Sequence, residues 1–166
     1  DGVHRVAASA RTAWYRKGYP SVMGRCDPTQ PYGPWVTVLG QLFQQRSSTA
    51  RAQIAGDDLP VLHGIWPEMP VPCASPYTRV PDAAAAGAAI AGVLNRCGPI
   101  AVVLHGMHDA DRGTLRSLGT VLERLDSGCR IWCTTRTVIG RLAAAPLPEW
   151  DENSHRQGWA EILGSR

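Results

Sequence analysis

Lysine is almost missing from this sequence: of its 17 basic residues only Lys17 is a lysine, and the rest are arginine. A loop that cradles phosphate needs a glycine-rich turn, a lysine and a serine or threonine, so that backbone amides, an ammonium and a hydroxyl surround the anion. Lys17 is followed by Gly18 and Tyr19 at the end of a predicted helix, so the chain contains no such loop. An excess of charge is missing as well. The 17 basic residues face 14 acidic ones, a net charge of +3, too mild to argue for a nucleic-acid or membrane partner. There is no secretory leader pattern and no apolar run near the ~20 residues that a membrane-spanning helix needs. The five cysteines, Cys26, Cys73, Cys97, Cys129 and Cys133, are odd in number and scattered, which reads as a reduced, cytoplasmic protein. Cys129 and Cys133 are four apart in a predicted strand, where their sulfurs share a face without converging on one ion, and no second ligand pair stands at finger spacing. No metal site is expected from them.

What is present suits one folded domain. The composition is 44% hydrophobic and 19% charged, ordinary for a globular protein. Residues 3–17 carry apolar side chains at helical spacing and stop at Gly18 and Pro20; residues 21–26 form a short apolar run that suits a buried strand. Three prolines make 27–34 a loop, Trp35 opens a helix through Phe43, and a second helical piece covers 50–65. Five prolines make 66–81 irregular. Asp82 is placed to cap an alanine-rich helix ending at Asn95. Residues 100–104 are the clearest buried strand, five apolar residues without alternation. A helix over 111–125, a strand over 130–135, a helix over 138–145 and a polar tail over 146–166 complete the chain. Strands alternating with helices imply a parallel sheet with helices on its faces.

Two stretches go beyond this generic pattern. Gly24, Arg25, Cys26 and Asp27, followed by Pro31, Tyr32, Gly33, Pro34, Trp35 and Val36, resemble a "GRCDE…PYGPW" signature. The run from Val102 to Asp111, VVLHGMHDAD, resembles a Walker B block usually written LVLDDLHWAD, matching in the strand and at His108, Ala110 and Asp111. Both signatures belong to the AAA-type signal-transduction ATPase domains of large bacterial regulators, including LuxR-type and AfsR-type transcriptional regulators and proteins with adenylyl cyclase domains. The order and spacing of the two blocks match too, so the resemblance covers roughly residues 3–145. It implies a P-loop NTPase-like three-layer α/β sandwich over residues 1–145, with the tail outside it. Cys133, Thr134, Thr135 and Arg136, after the next strand, resemble the position where a polar residue or arginine of these ATPases reaches the terminal phosphate.

The departures bear on chemistry. The Walker A loop and its strand are expected upstream of Asp1, either removed or absent from the protein. That leaves a sheet edge beside the 130–135 strand open to association. Where the family places two acids, one to position magnesium and one to help polarise the attacking water, this chain has His105 and Gly106. Glycine does neither job, and a hard cation prefers oxygen ligands to imidazole. His105, His108, Asp109 and Asp111 cluster at a strand end, but their order is not a recognised metal motif, and Asp111 reads equally as a helix cap. No serine-histidine-acid arrangement is recognisable, and Cys26 lacks a local partner that would make it a nucleophile. The expectations are therefore a regulatory ATPase-like domain with no catalytic residues and no hydrolysis, its nucleotide-facing candidates being His105, Asp111, Thr135 and Arg136. The alternative is a scaffold that binds no nucleotide. No cofactor is expected for this chain alone, and ATP with magnesium would require an upstream phosphate loop. Expected partners are neighbouring regulator domains or other proteins, with homo-oligomerisation as a further option, and neither nucleic acid nor membrane.

Overall fold

A computed structural model describes residues 18–76 and 79–135 together with Thr12, Tyr15 and Arg16. The predicted elements over 3–17 (apart from those three residues, which are helical), 138–145 and 146–166 lie outside the described residues, as does Arg136.

Among the described residues three short strands form one parallel sheet in the order β1-β2-β3: β1 is Ser21–Arg25, β2 is Ile100–His105 and β3 is Cys129–Thr134. The register pairs Gly24 with Leu104 and Leu104 with Cys133. Every residue of β2 is buried, as its unbroken apolar run requires of a central parallel strand. Helices flank the sheet. Helix α1 is Gly33–Gln44, α2 is Ser48–Ala55, α3 is Leu59–Ile65, α4 is Ala83–Cys97 and α5 is Arg112–Arg124.

Local chemistry sets the helix ends. Asp82 Oδ1 accepts from the Ala85 N–H at 2.7 Å, so the predicted cap of α4 is observed. The helix closes at Gly98, with φ 79°, a conformation that glycine adopts without a Cβ penalty. The helix predicted over 50–65 is instead broken in two. Gly56, at φ 52°, ends α2, a single 3₁₀ turn follows over Gly56–Asp58, and Pro60 sits in the first turn of α3. The break is held by Arg96 of α4. Its guanidinium donates to the carbonyls of Ile54 and Ala55 at 2.7 and 2.8 Å and pairs with Asp58 at 2.5 Å. An apolar pattern alone does not reveal this, because the residues on either side of the break still share one buried face.

The core lies between sheet and helices. Trp35, Leu39 and Phe43 of α1, Ile90 and Leu94 of α4 and Leu118 of α5 are almost completely buried against β2 and one another, each contributing roughly 1.5–3 kcal/mol by removal from water. Trp66, next to α3, stacks on Phe43 with ring centroids 6.1 Å apart. Helices α4 and α5 pack closely because Gly87 leaves room for the Ser117 carbonyl, which would stand 2.6 Å from a Cβ there. Among the described residues no helix is long and apolar enough to cross a membrane.

Candidate functional site

The two sequence blocks meet at the carboxyl end of the sheet, the end at which open α/β sheets place their ligands. The first block wraps from β1 into α1. Gly24 passes so close beneath the start of α1 that a Cβ would fall 2.2 Å from the Pro34 carbonyl oxygen. Asp27 closes the turn on itself: its Oδ1 accepts from the Thr29 hydroxyl at 2.6 Å and the Thr29 N–H at 2.8 Å. Those bonds, the hydroxyl's first, hold its carboxyl below the usual carboxylate range.

Tyr32 then turns the chain into α1 with φ 58° and ψ 12°. Among the described residues it is the one non-glycine at positive φ, a conformation costing on the order of 1–3 kcal/mol for a bulky side chain. Asp111, from the second block, holds it there. Its Oδ2 accepts the Tyr32 N–H at 3.2 Å and the Thr114 hydroxyl, while Oδ1 accepts the Thr114 N–H at 3.0 Å and so caps α5. The Tyr32 hydroxyl donates to the Pro81 carbonyl at 3.2 Å, and its ring lies against Gly113, where a Cβ would come within 2.9 Å of Cζ. The Trp35 indole N–H donates to Ser117 Oγ at 3.0 Å, tying α1 to α5 a second time.

At the end of β2, where the resemblance implies two acids, His105 is buried at 7% exposure. Its Nδ1 shares a 2.8 Å hydrogen bond with Thr134 Oγ1 across the register from β2 to β3. Gly106, at φ 78°, donates its N–H to the Thr134 carbonyl at 3.1 Å and to Oγ1 at 3.3 Å. A 3₁₀ turn, Met107–Asp109, leads on to Asp111. Within it His108 Nε2 stands 3.3 Å from Asp109 Oδ2, and the Asp109 side chain is half exposed.

Of the four site candidates, His105 and Thr135 lie at the ends of neighbouring strands, with Thr135 exposed. Asp111 is turned to Tyr32 and α5, and Arg136 lies outside the described residues. Thr134, which holds His105, belongs to the block that resembles the phosphate-sensing position, but nothing in the sequence pairs it with the imidazole. Tyr32 as the partner of Asp111 was missed as well, being 79 residues distant.

This donor set does not fit magnesium. The cation needs several oxygen ligands in near-octahedral array, whereas β2 ends in a buried imidazole and a residue without a side chain. Both oxygens of Asp111 are already accepting hydrogen bonds. Among the described residues no three His, Cys, Asp or Glu side chains converge in a way that could hold a metal ion.

Nor does the site present a nucleophile. Cys26 Sγ contacts Met107 Sδ at 3.4 Å. Burial first, then the charges of Asp111 and Asp109, push its thiol up from 9.0 to about 12. Burial and the nearby Cys26 do the same to Cys133, also to about 12. Both are protonated and unreactive at neutral pH. The unfolded chain gives up these protons near pH 9, whereas the folded chain keeps them to about 12. Stability is therefore expected to fall as pH rises between those values, being fully present below pH 9. Urea denaturation of the chain and of Cys26→Ala at pH 8 and pH 10.5 checks this. The variant should lose less stability than the native chain over that interval, and equal losses would contradict the assignment.

Comparison with protein-family models, with curated proteins and with solved structures finds no match to this chain.

Proposed function

We propose that this chain is a regulatory ATPase-like domain of the signal-transduction type that does not hydrolyse ATP, built as a P-loop NTPase-like three-layer sandwich. In this role the domain passes conformational information to neighbouring modules of a larger regulator instead of turning over substrate. One observation carries the reading: the carboxyl end of β2 is filled by His105, held by Thr134, and by Gly106, where hydrolysis would require oxygen ligands for magnesium and a group to polarise water. The co-linear sequence blocks support the family likeness, and their meeting at Tyr32 and Asp111 supports a conformational role for them.

A scaffold that binds no nucleotide is the second reading. It is favoured by the same closed strand end and by the single lysine of the sequence, Lys17. Turnover of ATP with magnesium tests the absence of hydrolysis that both readings share, and none above the buffer rate is expected. Calorimetry of ATP and ADP with magnesium, on the chain together with the residues that precede it in the full protein, separates them. Heat of binding at micromolar nucleotide supports the regulatory nucleotide domain, and no heat supports the scaffold.

A further inference from the structure

Helix α4 ends at Cys97, and the chain enters β2 at Ile100. Ile100 is the register partner of Cys129, the first residue of β3. The two strand starts are in close contact with the connection between them and the helix: a Cβ on Gly128 would stand 3.6 Å from Pro99 Cα. Cys129 therefore begins its strand directly against the segment that leads out of α4.

The Cys129 sulfur is seated on the last turn of that helix. Its thiol lies 3.5 Å from the Leu94 carbonyl oxygen and 3.6 Å from the Gly98 carbonyl oxygen, and those two residues bracket Cys97. In an α-helix the Cβ of a residue stands roughly 3–3.5 Å from the carbonyl oxygen three residues earlier, so the Cys97 side chain and the Cys129 thiol meet at the same Leu94 oxygen. The Cys129 thiol accordingly senses charge on Cys97. A disulfide places its two Cβ atoms about 3.5–4.5 Å apart, and closing one here calls for a shift of the last turn of α4 with no change in the sheet register.

We propose that Cys97 and Cys129 are a redox pair, which an oxidised low-molecular-weight disulfide such as glutathione disulfide converts into an intramolecular disulfide joining the end of α4 to the start of β3. Cys97 is half-buried and Cys129 is buried, so Cys97 meets the oxidant first. Its thiolate attacks one sulfur of the small disulfide, forms a mixed disulfide and releases one small thiolate; Cys129 then attacks the Cys97 sulfur and releases the second. The two protein thiols give up two electrons and two protons, and the small disulfide becomes two thiols. Burial pushes both protein thiols up, with Arg46 and Arg96 pulling against it at Cys97, so the exchange is slow at neutral pH. Cys26 and Cys133 stand near the opposite, carboxyl end of the sheet. This inference is independent of whether the domain binds nucleotide.

The test is incubation of the native chain with excess glutathione disulfide at pH 8, alkylation of the remaining thiols and mass spectrometry of the tryptic peptides, on which the five cysteines fall separately. Peptides 97–112 and 125–130 are expected as a linked pair, with Cys26 and Cys133 alkylated. Cys129→Ser is expected to stop with glutathione on Cys97, and Cys97→Ser to form no link. Thiols retained at both positions, a mixed disulfide that persists on Cys97 of the native chain, or a link between other cysteines in its place would overturn the proposal. Should Cys129→Ser fail to fold, Cys97→Ser decides. Its Cys129 is expected to stay a thiol, and oxidation of Cys129 there at the native rate would overturn the pairing.

Discussion

Gly24→Ala is expected to destabilise the fold by about 3 kcal/mol or more, at the upper end of what overpacking costs. The added methyl would meet backbone on every side that matters: Pro34 oxygen at 2.2 Å, its carbonyl carbon at 2.8 Å and its Cα at 2.9 Å. A flexible side chain could swing away, but here either α1 must lift from β1 or β1 must move out of register with β2. The α1 residues Trp35, Leu39 and Phe43 are in the core, so lifting the helix exposes some of the largest buried side chains in the molecule. Gly119→Ala is the control. No atom lies within 4 Å of a Cβ at that exposed helical position, and the exchange should be neutral or stabilising by up to about 1 kcal/mol. Urea denaturation of the two variants beside the native chain checks both, and a Gly24→Ala midpoint equal to the native one would contradict the packing described.

Asp111→Ala should cost roughly 3 kcal/mol, because it removes a helix cap, typically worth about 1 kcal/mol, and strands the Tyr32 N–H in a strained turn. Asp111→Asn separates the two contributions. Asparagine is as good a cap as aspartate, so it can still accept from the Thr114 N–H. It has one acceptor oxygen instead of two, so either Tyr32 or the Thr114 hydroxyl loses its partner. The expected loss is about half that of the alanine variant. Thermal denaturation followed by circular dichroism reads the difference. An Asp111→Asn variant as stable as the native chain would mean that the link to Tyr32 contributes nothing, leaving Asp111 a cap and no more.

The parts of the fold legible in the sequence were those fixed by local chemistry. The apolar run of β2, the caps at Asp82 and Asp111 and the proline-dense stretch before α4 each state a backbone preference within a few residues, and the structure follows them. The parallel sheet followed from the alternation of strands and helices. What the sequence concealed depends on distant pairing. The break at Gly56, inside the helical piece expected over 50–65, depends on Arg96, from another helix, which collects the carbonyls of Ile54 and Ala55. The carboxamide of Gln41, in α1, bonds both backbone groups of Met23 in β1, 18 residues earlier.

The candidate site was legible as a location and less so as an arrangement. That His105 and Gly106 stand where the resemblance implies two acids could be read directly. That Thr134 holds the imidazole could not, since it depends on the register of β3 against β2. Asp111 carried two readings in the sequence, nucleotide contact and helix cap. Its hydrogen bonds show the cap and add a clasp on Tyr32. Residues that resemble an ATPase signature are here joining β1, α1, β2 and α5 into one unit, a structural use that motif matching does not distinguish from a catalytic one.

The most direct test of the account is phosphate release from ATP in the presence of magnesium, followed over hours at several protein concentrations and compared with His105→Ala and Asp109→Asn. The account predicts release at the buffer rate for all three proteins, independent of protein concentration. Release that rises in proportion to the native chain and falls in either variant would contradict it, since the groups at the end of β2 would then be catalytic.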